Sequence, residues 1–202
     1  MQRAEVVALF AELRTGEPVV VGPGTTSGAL YQADHRPPTI YNMDMGYATA
    51  ICLGLALAAP GERVVALEGD GSLLAGLGVL STIGRYRPAN LVLVVFHNGV
   101  YASCGDGQVR TAAAATTDLP AVARACGIDP DKVVTLETID ATKKALGRAL
   151  SEPGPWVLVA SIEAPDRWPA GRPLPRHDLV ETAVAFKREM MRRGYRSGGQ
   201  AS

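Results

Sequence analysis

The fold is decided by residues 63–98, which read RVVALEGDGSLLAGLGVLSTIGRYRPANLVLVVFHN. The stretch opens with one apolar run at 63–67 and closes with another at 90–96, both rich in β-branched residues. Continuous runs of this kind are typical of parallel strands that are covered on both faces. Between them, residues 73–83 have the length and pattern of a crossover helix. Because such crossovers are almost always right-handed, the stretch predicts one right-handed βαβ unit.

Strands and helices continue to alternate on both sides of this unit. Upstream, helical patterns cover residues 6–13 and 45–59, another helix starts near residue 29, and a strand pattern covers 18–21. Downstream, strand patterns cover 132–136 and 156–160, and helical patterns cover 141–150 and 178–191. The alternation predicts an α/β fold, a doubly wound and mostly parallel sheet of about five strands with helices on both faces. We expect one domain over residues 1–170, followed by a C-terminal helix and polar tail over 171–202.

The composition excludes several classes of partner. Twenty Lys and Arg against 20 Asp and Glu leave a formal net charge of zero, so nothing in the total charge attracts a nucleic acid or an anionic membrane surface. A helix that crosses a bilayer needs about 18 consecutive apolar residues, and no segment of the sequence is that long. Residues 1–10 lack the apolar centre of a signal peptide. The three cysteines, Cys52, Cys104 and Cys126, form neither a disulfide framework nor a CxxC metal site, which favours a reducing, cytoplasmic location.

Three polar loops directly follow predicted strands. They lie at residues 24–27, 68–72 and 97–103. In doubly wound sheets, ligands bind beyond the carboxyl ends of the strands. We therefore expect these three loops to meet at one edge of the sheet and to form the binding site there.

The second and third loops carry residues suited to a metal-bound diphosphate. Gly69 and Gly71 let the backbone come close to a ligand, and Ser72 stands at a helix N-terminus, where N–H groups can face a phosphate. Asp70 beside phosphate oxygens would be repulsive unless a divalent cation joined them, and Mg²⁺ accepts carboxylate, amide and carbonyl oxygens. Asn98, 28 positions after Asp70, can supply the amide oxygen after one helix and one strand. The two residues thus predict a shared Mg²⁺.

Simpler interpretations compete with this one. Gly-Asp-Gly-Ser and Asn-Gly are both common turn sequences, and only their joint placement at neighbouring strand ends favours a cofactor diphosphate. A noncatalytic nucleotide-binding module of Rossmann type would carry a Gly-x-Gly-x-x-Gly turn after the first strand, and residues 22–28 do not have that spacing. A subunit that keeps the fold without any cofactor is disfavoured by the intact Asp70 and Asn98.

These motifs resemble the signature of thiamine diphosphate-dependent enzymes. Gly69-Asp70-Gly71-Ser72 is followed by Asn98 and is preceded by Met45-Gly46-Tyr47-Ala48 at the family's interval. The resemblance covers residues 1 to 165 and is closest to the beta subunit of sulfopyruvate decarboxylase and to phosphonopyruvate decarboxylase. It is carried by residues 69–74, 80–84 and 98–103.

The resemblance implies a role for each matching residue. Mg²⁺ would be held by Asp70, Asn98 and the main-chain carbonyl of Val100, with thiamine diphosphate as the second cofactor. Met45 would be the apolar wedge that bends the cofactor, and the carbonyl of Met43 would accept from its amino group. The full set assigned to the cofactor is Gly24, Thr25, Met43, Met45, Gly69, Asp70, Gly71, Ser72, Asn98, Val100 and Tyr101.

The resemblance also implies a missing part. The family activates its cofactor with a glutamate on a separate pyrimidine-binding domain, for which this chain has no room, and Glu68 stands at the diphosphate end instead. We therefore expect no catalytic side chain in this chain, an alpha subunit that carries the glutamate, and a hetero-oligomer. The small-residue helix from Gly46 to Ala59 is expected to lie both in the core and close to the subunit interface.

The implied activity is decarboxylation of a small anionic 2-keto acid, of the sulfopyruvate or phosphonopyruvate type, to an aldehyde and carbon dioxide. A carboligase that captures the same intermediate with an acceptor is the alternative, and product analysis separates the two.

Two departures from the family's pattern affect the substrate. His97 stands where the relatives usually have aspartate, and residues 102–108 replace a Gly-Ser-Thr-Gly loop. Ser103, Gln108, Arg110 or partner residues could bind the second anionic group of the substrate. His97 is interpreted as a packed or hydrogen-bonded side chain rather than a base. Cys104 is interpreted as a replacement for a small residue rather than a nucleophile.

Overall fold

The computed structural model describes residues 1–102, Cys104, 109–164 and 178–195. Six strands form one sheet within these residues. They are β1 (Val19–Val21), β2 (Thr39–Ile40), β3 (Val64–Gly69), β4 (Leu91–His97), β5 (Val133–Leu136) and β6 (Trp156–Ser161). Their order is β2-β1-β3-β4-β6-β5, and every pairing between them is parallel.

Helices cover both faces of this sheet. They are α1 (Arg3–Leu13), α2 (Thr25–Asp34), α3 (Tyr47–Ala58), α4 (Asp70–Ala75), α5 (Val79–Tyr86), α6 (Leu119–Ala125), α7 (Ile139–Ser151) and α8 (Leu179–Arg192). Helices α1, α2 and α7 contribute to the core on one face, and α3, α4, α5 and α6 contribute to the core on the other. The doubly wound α/β fold predicted from the sequence is therefore confirmed.

The strands divide their side chains between the two cores, as a period of two requires. In β3, Val65 and Leu67 belong to the core beneath α1, while Val64 and Ala66 belong to the core beneath α3. All four side chains are completely buried. This is why the strands appear in the sequence as continuous apolar runs.

The expected number of strands was too small by one. The missing strand is β2, which has only two residues and pairs with β1 through Val19 and Thr39. It follows Pro37 and Pro38 and contains one β-branched threonine and one isoleucine. A strand of two residues is too short to show an apolar period, so its existence follows from pairing with β1 rather than from its own sequence.

The predicted crossover helix at 73–83 is wrong in one respect, because the structure has two helices there, α4 and α5. The helix is interrupted at Gly76, which contacts the backbone of Gly46. A Cβ on Gly76 would lie 2.6 Å from the Gly46 carbonyl oxygen. The close approach of these two glycines replaces a continuous helix with two short ones. Helix α2 likewise begins at Thr25, four residues before the expected start near residue 29.

Helix α8 packs back onto the domain. Phe186 and Met190 are buried against Ala59 at the end of α3. Just after the helix, Arg193 donates two hydrogen bonds, one to Glu62 Oε2 at 2.7 Å and one to the carbonyl oxygen of Gly16 at 2.8 Å. The expected domain boundary at 170–171 and the polar tail after residue 195 lie outside the described residues. In the part of the chain that the structure describes, no helix combines the length and apolarity needed to traverse a bilayer.

Candidate functional site

A cavity of about 200 Å³ opens at the carboxyl edge of the sheet. After β1 the chain goes to β2 on one side, and then crosses to β3 on the other side of β1. The cavity lies at this switch point, where ligands of doubly wound folds bind. It is lined by Arg3, Pro23, Gly24, Thr25, Met45, Gly69, Asp70, Gly71, Ser72, Asn98, Val100, Tyr101 and Ala102. The structure thus brings together ten of the eleven residues that the sequence assigned to the cofactor.

Asp70 is the most constrained polar residue in this cavity. It is the first residue of α4, and only 2% of its surface is exposed. Its Oδ2 accepts from the backbone N–H of Gly99 at 3.0 Å and from Thr111 Oγ1 at 2.9 Å, and it lies 2.9 Å from His97 Nδ1. Its Oδ1 accepts no hydrogen bond from a described residue. One carboxylate oxygen is therefore fixed to the protein, and the other remains for a ligand.

Asn98 lies beside this carboxylate because the strands are in register. Gly69 pairs with Phe96, so the residues that follow β3 and β4 emerge next to each other. The Asn98 Oδ1 accepts from the N–H of Val100 at 3.2 Å and keeps a second lone pair. A carboxylate, an amide oxygen and a main-chain carbonyl are all hard oxygen ligands of the kind that Mg²⁺ prefers. The described residues contain no cluster of three His, Cys, Asp or Glu side chains, and this expected ligand set includes only one such side chain.

The loop after β4 returns to its own base. Val100 forms an antiparallel bridge with Arg110, and the N–H of Thr111 donates to the Gly99 carbonyl at 2.9 Å. Tyr101 in this loop covers Gly71, where a Cβ would lie 2.3 Å from the Tyr101 Cε1. A side chain at position 71 would therefore require the tyrosine ring to move.

The substrate residues expected in this loop are only partly described. Arg110 is exposed, and its Nη2 donates to the Ala114 carbonyl at 2.9 Å. Cys104 is exposed and its N–H donates to the Tyr101 carbonyl at 3.0 Å. Ser103 and Gln108 lie outside the described residues. Their expected role toward a second anionic group stays a prediction.

Glu68 lies beneath the cavity rather than in it. It is completely buried, and its Oε2 accepts from the N–H and the Oγ1 of Thr49 at 2.9 and 2.8 Å. Its Oε1 accepts from the hydroxyl of Ser72, which in turn accepts from the N–H of Gly46 at 3.1 Å. Burial raises the pKa of Glu68, and the hydrogen bonds from Ser72 and Thr49 oppose that shift. The Ser72 hydroxyl proton is engaged by Glu68, so Ser72 faces the cavity without a free hydroxyl donor.

The two methionines of the expected site take different positions. Met45 lines the cavity and is 43% exposed. Met43 is the expected cofactor residue that does not line it, and its N–H donates to the Val21 carbonyl at 2.9 Å. The roles of Met45 as wedge and of the Met43 carbonyl as acceptor stay predictions.

Sequence reasoning missed Arg3. Its Nη1 donates to Thr26 Oγ1 at 2.6 Å, and its side chain lines the cavity. The sequence contained a signal for it, since Arg3, Val6, Val7 and Phe10 share the i, i+3, i+4, i+7 spacing of one helix face. A charged residue on an otherwise apolar core face needs a polar destination. For Thr111, 41 positions after Asp70, the sequence carried no such signal.

Comparisons with known proteins identify the family. Residues 22–160 match the family described as "Thiamine pyrophosphate enzyme, C-terminal TPP binding domain". The chain is 34% identical to sulfopyruvate decarboxylase subunit beta of Methanococcus maripaludis, over 93% of this chain and 95% of that relative. It is 41% identical to phosphonopyruvate decarboxylase of Streptomyces viridochromogenes, over 84% of this chain and 42% of that relative.

Solved structures agree on the fold. Benzoylformate decarboxylase of Polynucleobacter necessarius superposes with a TM-score of 0.66 at 21% identity, covering 82% of this chain and 33% of the other. The match to residues 22–160 and the similarity to the two relatives above show the family of this chain. The chain belongs to the thiamine pyrophosphate enzyme family and contains the C-terminal TPP-binding domain of that family.

Proposed function

We propose that this chain is the beta subunit of a two-subunit, thiamine diphosphate- and Mg²⁺-dependent decarboxylase. Its substrate would be an anionic 2-keto acid of the sulfopyruvate or phosphonopyruvate type, and its products an aldehyde and carbon dioxide. The observation that carries the proposal is the divided carboxylate of Asp70, with Oδ2 fixed by three groups and Oδ1 turned to no described donor. It is supported by similarity to a sulfopyruvate decarboxylase subunit beta over nearly the full length of both chains.

The residues around the cavity would divide the work of holding the cofactor. Asp70, Asn98 and the carbonyl of Val100 would hold Mg²⁺, and the metal would join them to the diphosphate. Gly69 and Gly71 line the cavity and would let the diphosphate approach the backbone. Met45, at the exposed side of the cavity, would contact the cofactor's rings. The bound cofactor would supply the electron sink that accepts the electrons left when carbon dioxide departs.

The size of the cavity supports a second subunit. Its volume of about 200 Å³ is below the about 300–1,000 Å³ of typical ligand pockets, which suits part of a cofactor rather than all of it. The S. viridochromogenes phosphonopyruvate decarboxylase is matched over only 42% of its length, so most of that relative has no counterpart in this alignment. A partner alpha subunit would complete the site and supply the activating glutamate.

Helix α3 offers a surface for that partner. Tyr47 and Leu57 are 59% and 46% exposed, and Ala50, Gly54 and Ala58 on the same side of the helix are exposed as well. This face begins directly after Gly46, beside the cavity-lining Met45. An apolar face that adjoins a half-built site is what a subunit interface across the cofactor requires. We also propose a cytoplasmic location, which is supported by three cysteines none of which is disulfide-bonded.

The test is cofactor binding and turnover by the chain co-expressed with its alpha subunit. We expect Mg²⁺-dependent uptake of thiamine diphosphate in a calorimetric titration, and release of an aldehyde from sulfopyruvate or phosphonopyruvate by the complex only. Asp70→Asn should abolish the Mg²⁺ dependence, while Asp140→Asn, at an exposed carboxylate in the first turn of α7, should not.

Two results would contradict the proposal. Equal uptake of thiamine diphosphate with Mg²⁺ and with a chelator would refute the metal site, and turnover by the chain alone would refute the need for an alpha subunit. If the products are condensation products instead of the aldehyde, the enzyme is a carboligase and not a decarboxylase.

A further inference from the structure

Arg3 reaches the cavity from a helix whose start is held firmly in place. Gln2 caps α1, and its N–H donates to Glu5 Oε2 at 2.7 Å. The carbonyl of Met1 accepts at 2.9 Å from the N–H of Glu163, which follows β6. Because Val6, Val7 and Phe10 bury the same face of α1, the side chain of Arg3 is directed toward the carboxyl edge of the sheet. The packing of α1 therefore fixes the position of the Arg3 side chain.

The guanidinium has more donors than the protein satisfies. It carries five N–H groups. Thr26 is the one acceptor that it reaches within the described residues, at 2.6 Å from Nη1. The Cζ lies 5.5 Å from the centre of the Phe96 ring, which supports the cation without accepting a conventional hydrogen bond. The remaining donors belong to a side chain that lines the cavity.

Within the described residues, Arg3 forms no direct ion pair. Burial lowers the pKa of Arg3 to about 10, and the negative charge of Asp70 acts in the opposite direction. The guanidinium is thus cationic at neutral pH. The nitrogen that pairs with Asp70 is His97 Nδ1, at 2.9 Å, so Asp70 influences Arg3 from a distance.

We infer that Arg3 binds an oxygen of the cofactor's diphosphate and acts together with the Mg²⁺ ion that Asp70 and Asn98 would hold. The inference rests on the proposed function, because it takes the cavity to hold a diphosphate. Mg²⁺ bound to one carboxylate contributes a net single positive charge, whereas a diphosphate ester carries at least two negative charges. Arg3 supplies the second positive charge, in a planar form that suits phosphate oxygens.

The neighbours of Arg3 favour the cofactor over the substrate as its ligand. Arg3 contacts Thr26 in the first turn of α2, and it lines the cavity together with Gly24, Thr25, Gly71 and Asn98. These are the elements expected to surround the diphosphate. The exposed Arg110 belongs instead to the loop at 99–111, which is expected to face the substrate.

The experiment is calorimetric titration of the chain, in complex with its alpha subunit, with inorganic diphosphate and with thiamine diphosphate, each with Mg²⁺ and with a chelator. Arg3→Gln should weaken binding of both ligands by about 10- to 100-fold, as expected for hydrogen bonds to a charged group. The loss should also appear in the residual binding that remains without metal, whereas Asp70→Asn should remove only the metal-dependent part. Arg85→Gln is the matched control, since Arg85 lies over Tyr86 on α5, away from the cavity.

The outcomes separate this inference from the proposal beneath it. If the wild-type complex binds Mg²⁺ diphosphate and Arg3→Gln binds it equally well, the Arg3 inference is overturned and the metal site stands. If the wild-type complex binds neither ligand, both are overturned. If Arg3→Gln does not fold, Arg3→Met decides, because methionine keeps an apolar stem and removes the charge: weaker binding of both ligands with an unchanged melting temperature supports the inference, and wild-type affinity refutes it.

Discussion

The two oxygens of the Asp70 carboxylate have different surroundings. Its Oδ2 contacts His97, Gly99 and Thr111, and its Oδ1, which we propose binds a cation, accepts no hydrogen bond from a described residue. A ligand that must hold a metal in near-octahedral geometry benefits from being fixed in orientation before the metal arrives. The groups around Oδ2 are therefore expected to affect metal affinity without touching the metal.

Thr111→Val tests this positioning role. Valine keeps the shape of threonine and removes the donor to Asp70, so we expect a loss of about 1–3 kcal/mol in the free energy of unfolding. Affinity for Mg²⁺ with thiamine diphosphate should fall about 10-fold or more. Denaturant unfolding and calorimetric titration measure the two effects. Thr116→Val is the control, since the exposed Thr116 hydroxyl makes only a 3.4 Å contact with the Ala112 carbonyl. Equal behaviour of the two variants would show that Oδ2 needs no such support.

Tyr41 makes stability depend on alkaline pH. It is 1% exposed, and burial raises its pKa to about 12. An unfolded tyrosine ionises near pH 10. The folded state therefore keeps the phenol protonated where the unfolded state has lost the proton. This stabilising contribution is complete below about pH 10 and is lost as pH rises through about 12, amounting to about 2–3 kcal/mol.

The measurement is the free energy of unfolding of wild type, Tyr41→Phe and Tyr86→Phe across the alkaline range. Tyr41→Phe should lack the alkaline decline, and Tyr86→Phe, at a side chain that is 56% exposed, should retain it. Parallel curves for the wild type and Tyr41→Phe would contradict the assignment.

Individual residues were predictable where a strand end placed them. Asp70 and Asn98 follow adjacent strands directly, so their proximity could be inferred from topology. Thr111 reaches Asp70 only because the loop after β4 returns to Gly99, and no periodic pattern encodes such a return. Arg3 belongs to no site motif, and its place in the cavity follows only from the packing of the face that it shares with Val6 and Val7.

At the scale of elements, the sequence predicted long elements well and short ones poorly. Strands β3 and β4 could be predicted from their continuous apolar runs, because strands that are buried on both faces contain few polar residues. Strand β2, with two residues, and the break between α4 and α5 were missed. Both depend on contacts between distant segments, β2 with β1 and Gly76 with Gly46, and propensity does not contain such information.

The contact between the two glycines can be tested by substitution. Gly76→Ala places a Cβ 2.6 Å from the Gly46 carbonyl oxygen, and we expect a loss of about 1–3 kcal/mol in stability. Because Met45 adjoins Gly46 and lines the cavity, cofactor affinity should fall as well. Gly78→Ala is the matched control: no atom lies within 4 Å of its added Cβ, and the change should be neutral or stabilising by up to about 1 kcal/mol. Denaturant unfolding and titration measure both, and a harmless Gly76→Ala would refute the contact.

At the scale of the whole molecule, we propose that the site is completed by a partner subunit. The cavity holds residues suited to a diphosphate and metal, and the exposed face of α3 begins beside it. The small residues of the helix from Gly46 to Ala59 predicted that it lies in the core and close to a subunit interface. They could not indicate which of its side chains face outward, because the exposure of Tyr47 and Leu57 is known only once α3 is packed.

Leu57→Lys tests the proposed interface. Leu57 is 46% exposed, so the isolated chain should change in stability by no more than about 0.5 kcal/mol. Binding of the alpha subunit should weaken about 10-fold or more, since a charge would be buried in an apolar contact. Tyr86→Lys, at a similarly exposed position on α5, should leave assembly unchanged. Analytical ultracentrifugation of the mixed subunits measures the affinity. Undiminished assembly of Leu57→Lys would place the alpha subunit on another surface.

The loop that begins at Gly99 and ends at Thr111 has both of its ends tied to one oxygen atom of Asp70. These two contacts fix the ends of the loop and leave the residues between them free of that constraint. Under the proposed function, a substitution between these two residues would change the groups that face the incoming acid, while the Asp70 carboxylate would keep its position. Substrate preference could then be altered within one short span of the chain without loss of the cofactor.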